Sequence, residues 1–128
     1  LRQIKGITVI PCKKTFGFTW QMTEAEKREA SAYYKELFDE AADLALLTAE
    51  QGQTLFVMDE GCAAVNSGLL QKEQVLAFLD RCPDSLEIVM TGREPAPEFI
   101  QRAGYISELR KVRHPFDKGV PARKGIEY

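Results

Sequence analysis

Two short apolar runs, Thr54–Met58 and Leu86–Met90, constrain this chain more than any other feature. In the first, Leu55, Phe56, Val57 and Met58 follow one another without the polar alternation of a half-exposed strand. That pattern fits a parallel strand covered on both faces, and so a central one. The second run repeats it apart from Glu87. Between them, Leu69, Leu70, Val75, Leu76 and Leu79 keep helical spacing over 69–79. Cys82-Pro83 stops that helix, because the residue before a proline is pushed out of the α region. Parallel strands cannot be joined by a tight turn, so strand, helix, strand demands a crossover connection and an α/β fold.

The flanking segments extend the alternation. Residues 7–12 are β-branched and end in Pro11-Cys12, which predicts a strand followed by a turn. Thr23-Glu24-Ala25-Glu26 has the form of a capping box, and Ala30, Tyr34, Leu37, Phe38, Ala41, Leu44 and Ala45 follow at three- and four-residue spacing. A long amphipathic helix is expected, with Gly52 placed to end it. Pro95-Ala96-Pro97-Glu98 suits another helix start, Phe99, Ile100 and Ala103 give it an apolar face, and Gly104 is a candidate cap. A last strand is expected at 106–112. Four strands alternating with three helices predict a mostly parallel, doubly wound sheet. Residues 1–128 read as a single α/β domain, with 113–128 an extended C-terminal tail.

Composition removes several function classes. The chain has 128 residues, 45% of them hydrophobic and 28% charged, and a formal net charge of -2. It has the length to bury roughly two thirds of its unfolded surface and no overall field favouring nucleic acid or acidic membranes. No apolar run approaches the roughly 20 residues of a membrane span, and the N-terminus has no signal segment, so the expected location is the cytoplasm. Cys12, Cys62 and Cys82 are far apart with no Cys-x-x-Cys spacing, and they read as free thiols. The chain begins at Leu1 instead of Met, which suggests that a further N-terminal part exists.

Ligands of open parallel sheets bind beyond the carboxyl ends of the strands, so the residues following each run carry the candidates. Asp59 and Glu60 directly follow Met58. Adjacent carboxylates at a strand end can hold Mg²⁺, a hard ion usually shared between one or two protein carboxylates and substrate phosphates. A plainer reading makes Asp59 the cap of a helical turn near Gly61 and leaves Glu60 in solvent. Thr91-Gly92-Arg93 follows the second run and offers a guanidinium for phosphate or carboxylate, or simply a surface arginine. Phe16, Phe18 and Trp20 share one side if their segment is extended, with Gly17 allowing close approach. They could pack on a large planar ligand or cover the sheet edge. The tail is locally basic through Arg110, Lys111, Arg113, Lys118, Arg123 and Lys124, suited to phosphate, to a subunit contact or to solvent. It has no RNA-binding motif, and nucleic acid is not an expected partner. His114, the only histidine, has no partner at a triad-like spacing. No Gly-x-x-x-x-Gly-Lys-Ser/Thr loop occurs in the chain.

Gly17-Phe18-Thr19-Trp20, Val57-Met58-Asp59-Glu60, Thr91-Gly92-Arg93, Ser107-Glu108-Leu109-Arg110 and the ending from His114-Pro115-Phe116-Asp117 to Gly125-Ile126-Glu127-Tyr128 together resemble one family, in its order and at its spacing. That family is the P-loop type of ATP:corrinoid adenosyltransferase, and the likeness corresponds to the C-terminal two thirds of a member. The resemblance implies a P-loop NTPase type of sheet that is incomplete at its N-terminus. It also implies transfer of the 5′-deoxyadenosyl group of ATP to the cobalt of a reduced corrinoid such as cobalamin, in a cytoplasmic homodimer that uses Mg²⁺ and a reductase supplying reduced corrinoid. By the same resemblance Phe18 and Trp20 are the catalytic residues, lying against the lower face of the corrin, and Gly17 and Thr19 in the same segment are cofactor-binding residues. Asp59 and Glu60 are the Walker-B-like acids, Glu60 being the preferred Mg²⁺ ligand, and Arg93 lies near the nucleotide. The family's phosphate-binding loop falls before the part matched. The alternatives are a truncated or degenerate member that binds corrinoid or a partner without catalysis, and an unrelated P-loop kinase or ATPase fragment.

Overall fold

The computed structural model describes Leu1 and residues 3–126. In chain order it has a 3₁₀ turn at Thr19–Gln21, helix α1 at Glu24–Ala49, strand β1 at Thr54–Met58, helices α2 at Gly61–Asn66 and α3 at Lys72–Leu79, strand β2 at Leu86–Met90, helix α4 at Pro97–Arg102 and a 3₁₀ turn at Pro115–Lys118. β1 and β2 pair in parallel, with Thr54 opposite Leu86 and Met58 opposite Met90. The molecule is therefore α/β, built on a small parallel sheet.

α1 starts where the sequence signals it. Thr23 Oγ1 accepts from the Glu26 N–H, and the Glu26 carboxylate accepts in return from the Thr23 N–H at 2.7 Å. These bonds satisfy helix-start donors and hold the Glu26 carboxyl below the ordinary glutamate range. Phe38, Ala42, Ala45 and Ala49 are buried on one stripe of the helix, and the small alanines let its backbone lie close to the sheet. Ser85 Oγ donates to the Ala49 carbonyl at 2.8 Å, which fixes the end of α1 beside the beginning of β2. Gln74, early in α3, donates to Asp39 midway along α1. α1 therefore runs antiparallel to the strands. At ~1.5 Å per residue it is about 39 Å long against about 17 Å for either strand, so its N-terminal half reaches past their carboxyl ends.

The core lies between the sheet and α1, α3 and α4. Phe78, fully buried, meets Phe38 and Phe56 edge-on, with ring centroids 5.6 and 5.5 Å apart. Val75, Met58, Leu70, Leu86 and Phe99 complete the same cluster. Ion pairs Lys72–Glu98 and Arg102–Asp80 hold α4 alongside α3.

Several sequence expectations fail. Residues 7–12 are irregular and lie along α1, where the Lys13 N–H donates to the Tyr33 hydroxyl at 2.7 Å. Residues 106–112 form no strand and are exposed, Leu109 and Val112 almost completely. Both segments have strand-like composition, but a strand forms only with a hydrogen-bonded neighbour, and neither finds one among the described residues. The helix expected over 69–79 begins at Lys72. Gly68, at φ 74°, closes α2, and the Leu69 and Leu70 N–H groups both bond back to the Ala64 carbonyl before the chain enters α3. Gly104 does not cap α4, whose C-cap is an extended Ala103. β1 is not covered on both faces: Phe56 and Met58 face the helices while Leu55 and Val57 are exposed, as is Val89 on β2. The described helices all pack on one side of the sheet, so the second apolar face has no cover among the described residues. Glu127 and Tyr128, the end of the expected tail, lie outside the described residues.

The two faces predict opposite responses in urea denaturation. Phe78→Ala should cost about 3–5 kcal/mol by opening a cavity in the ring cluster. Leu55→Thr should change stability by less than about 0.5 kcal/mol, because its side chain already meets water.

Candidate functional site

The register of the sheet sets β1 and β2 level at their carboxyl ends, which places Asp59-Glu60 beside Thr91-Gly92-Arg93. Thr91 joins the two segments. Its N–H donates to the Met58 carbonyl at 3.1 Å, its carbonyl accepts from the Cys62 N–H at 3.2 Å, and its hydroxyl accepts from the Glu60 N–H at 2.9 Å. The same hydroxyl donates to Asp59 Oδ1 at 2.8 Å. One side chain thus orients one acid directly and the other through its backbone. Asp59 is not the helix cap: Glu60 occupies the N-cap of α2 with no side-chain cap bond. Glu60 adopts φ 55° and ψ 25°, a left-handed conformation that a glutamate enters only when its surroundings impose it. Both acids are exposed, and the Glu60 carboxylate has no hydrogen-bond or ion-pair partner among the described residues.

The turn above them is equally fixed. Gly92 has φ 135°, and a Cβ there would stand 2.7 Å from Cys62 Cβ, so the turn can close over α2 only with glycine. Asn66 Nδ2 donates to the Arg93 and Glu94 carbonyls at 3.2 and 3.0 Å, pinning the backbone while the Arg93 side chain stays exposed. Asn66 is a residue that sequence reasoning missed. Its signal, a polar side chain ending a short helix, is shared by many residues of no consequence. The role of Thr91 was also hidden, since a hydroxyl joining two strand ends becomes visible only once the register is known. Cys62 is buried beneath this turn, and burial pushes its thiol above the usual range. Cys12, Cys62 and Cys82 are free thiols, and no cluster of three or more His, Cys, Asp or Glu suited to a metal occurs among the described residues.

The aromatic segment divides differently from its expected single-sided arrangement. Phe16 packs on α1, its ring 5.5 Å from Tyr33 and 5.9 Å from Tyr34. Gly17, at φ 73°, then turns the chain, and Phe18 and Trp20 stack on each other at 4.5 Å with planes 15° apart. The turn at Gly17 separates Phe16, which rests on α1, from the other two, which stay exposed. Phe18 is 59% and Trp20 76% exposed, whereas Thr19 between them is half-buried. None of the hydrogen bonds, ion pairs or ring contacts of Phe16, Phe18, Thr19 or Trp20 reaches the acid rim. The two groups stand on the same end of the molecule because α1 overshoots the strands.

The structure is an α/β protein with an acid-tipped parallel sheet, a fixed turn at its rim and an exposed aromatic pair on the segment before α1. The model of the ATP:corrinoid adenosyltransferase BtuR/CobO/CobP family matches residues 1–128, and the chain belongs to that family. It is 34% identical over 114 residues to a corrinoid adenosyltransferase of Pseudomonas aeruginosa, covering 88% of this chain and 53% of that protein. It is also 34% identical over 118 residues to a corrinoid adenosyltransferase of Salmonella typhimurium (88% and 55%) and 31% over 112 residues to one of Escherichia coli K12 (88% and 55%). The chain spans about half the length of the curated relatives it matches. Membership removes the reading as an unrelated kinase or ATPase fragment.

Thermal unfolding tests the rim. Gly92→Ala should destabilise by about 1–3 kcal/mol through strain and the Cys62 contact, and by more than Gly68→Ala, where φ is 74° but a Cβ would meet open space. Thr91→Val should cost about 1 kcal/mol by breaking the two bonds of its hydroxyl.

Proposed function

We propose that this chain carries the corrinoid and magnesium side of an adenosyltransferase, serving transfer of the 5′-deoxyadenosyl group from ATP to the cobalt of a reduced corrinoid in adenosylcobalamin formation. The observation that carries this reading is the stacked and exposed pair Phe18 and Trp20, on the segment that resembles the family's aromatic loop. Two large rings held in water beyond a sheet edge suit a broad flat ligand, which would bury their apolar faces. Against the lower face of a corrin they would exclude water and keep the lower axial ligand from the cobalt. Loss of that donor eases reduction to Co(I). The Co(I) electron pair would then form the Co–C bond to the ribose 5′ carbon, while the C5′–O bond breaks and its electrons leave with triphosphate. Gly17 and Thr19 set the placement of the two rings.

The rim suits Mg²⁺. Two carboxylates without a full protein cage are what that ion takes when substrate phosphates and water complete its shell. Thr91 occupies one oxygen of Asp59 and leaves the other available, and Glu60 is free to ligate. Bound there, Mg²⁺ would neutralise charge on the triphosphate. Arg93, on the same rim, would add a cation toward the nucleotide. The open apolar face of Leu55, Val57 and Val89 supports a mostly parallel, doubly wound sheet of the P-loop NTPase type, with residues 1–128 as a partial adenosyltransferase domain. A homodimer, a reductase partner and a cytoplasmic location belong to the same proposal. No helix among the described residues is long and apolar enough to cross a membrane.

Titrating the chain with cobalamin should quench Trp20 fluorescence, and Phe18→Ala should weaken that quenching. In a polypeptide that includes a phosphate loop, Phe18→Ala or Trp20→Ala should lower adenosylcobalamin formation from ATP and reduced cobalamin by about tenfold or more. Glu60→Gln should raise the Mg²⁺ concentration needed for half-maximal rate. Absence of both quenching and product in that polypeptide would sink the proposal.

A further inference from the structure

The exposed rings of Phe18 and Trp20 stack on each other, centroids 4.5 Å apart, so what fixes the pair in place lies elsewhere. The pair rides on a bridge over residues 17–22 whose two ends are both seated on α1. The downstream end is the capping box of Thr23 and Glu26, entered through the 3₁₀ turn in which the Gln21 N–H donates to the Phe18 carbonyl at 2.9 Å. The upstream end is Phe16, whose half-buried ring packs on Tyr33 and Tyr34. Tyr33 holds this end twice, because its hydroxyl also accepts the Lys13 N–H at 2.7 Å. Between those two contacts Lys14 pairs with Glu29 at 3.1 Å and sets its ammonium 5.7 Å from the Tyr33 ring centroid and 5.9 Å from that of Phe16. Glu29 and Tyr33 stand one helical turn apart on the same face of α1.

The lengths leave the bridge little slack. Tyr33 comes ten residues after Thr23, about 15 Å along the helix at ~1.5 Å per residue. The seven steps from Phe16 to Thr23, partly coiled as 3₁₀, reach about 20 Å. With both ends seated, so short a span confines the two rings. With the upstream end released, Gly17, left-handed at φ 73° and without a Cβ to restrict it, becomes a hinge. The Lys14–Glu29 pair is exposed and contributes little by itself, so the hold falls on Tyr33. Its helix is a rigid base, anchored in the core by Phe38, Ala42 and Ala45.

We propose that Tyr33 is a positioning residue: by seating Phe16 on its ring and the Lys13 N–H on its hydroxyl, it fixes the Phe18–Trp20 pair in the place where a flat ligand meets it. Tyr33 acts through the bridge and does not touch the ligand. Its loss weakens binding because the ligand must then order the pair itself. That the flat ligand is a corrin rests on the adenosyltransferase reading, whereas the clamp is a property of the free chain.

Trp20 is the only tryptophan of the chain, so its fluorescence reads this place alone. In the free chain, Tyr33→Ala should lower Trp20 anisotropy and diminish the near-ultraviolet circular dichroism of the stacked rings, with the far-ultraviolet helix signal kept. Tyr33→Phe, which retains the ring under Phe16, should lose less of both. Phe16→Ala removes the other half of the clamp and should reproduce the Tyr33→Ala result, which keeps the test open even if Tyr33→Ala folds poorly; combining the two should add little to either. Lys35→Gln breaks the Lys35–Asp39 pair on α1 away from the strap and should leave the Trp20 signals unchanged. Titrated with cobalamin, Tyr33→Ala should bind about fivefold more weakly or worse, the fold-change of one ordinary hydrogen bond. Unchanged Trp20 anisotropy in Phe16→Ala or in folded Tyr33→Ala, or an equal loss in Lys35→Gln, would overturn the positioning role. Lost anisotropy in the variants together with no cobalamin binding by the parent chain upholds the clamp and removes only the corrin reading.

Discussion

The parallel pairing of β1 with β2 is the interaction on which the rest depends. It is short, and short ladders are marginal unless a packed layer supports them. That layer is the ring cluster of Phe38, Phe56 and Phe78, which draws one residue each from α1, β1 and α3. Because the cluster joins three elements distant in sequence, it fixes the sheet's position against both helices at once. The alanine stripe of α1 and the Ser85–Ala49 bond then hold the helix in a single sliding position along the strands.

The register chosen by that packing has a chemical consequence at the far end of the sheet. Level strand ends put Thr91 within hydrogen-bond reach of both the Glu60 N–H and the Asp59 carboxylate. A shift by one residue would turn the core side chains to the opposite face and part the hydroxyl from both partners. Glu60, Gly92 and Glu94 are the positive-φ positions of the rim; the Glu60 N–H is held by Thr91, and the turn after Gly92 by the bonds from Asn66 to the Arg93 and Glu94 carbonyls. The stability of the core is thereby coupled to the placement of the acids, although no core residue touches them.

The surface shows the reverse situation. Leu55, Val57 and Val89 form an apolar face, and the segment around Leu109 and Val112 is open to water. Each carries composition suited to burial, and nothing among the described residues packs against it. This explains why the strands expected at 7–12 and 106–112 are absent while β1 and β2 formed at the expected residues, though with cover on one face only. Composition states what a segment prefers, but a strand is a relationship between two segments, and only β1 and β2 have each other.

By itself, the sequence determined the elements whose causes are local. The capping box of Thr23 and Glu26, the two strand runs and the proline start of α4 all act within one turn or one strand, and each appears where its residues place it, whereas the apolar stripe of α1 is shifted, with Leu44 exposed and Ala42 and Ala49 buried instead. It also determined the family, through motifs whose order survives without coordinates. Tertiary structure alone decided that Phe16 leaves Phe18 and Trp20 to face α1, that Asp59 binds Thr91 instead of capping α2, that Asn66 holds the Arg93 turn, and that one apolar face of the sheet stays open. Each is a choice among partners remote in sequence. The winner was set by which side chains the packed core brought within about 3 Å, the reach of a hydrogen bond.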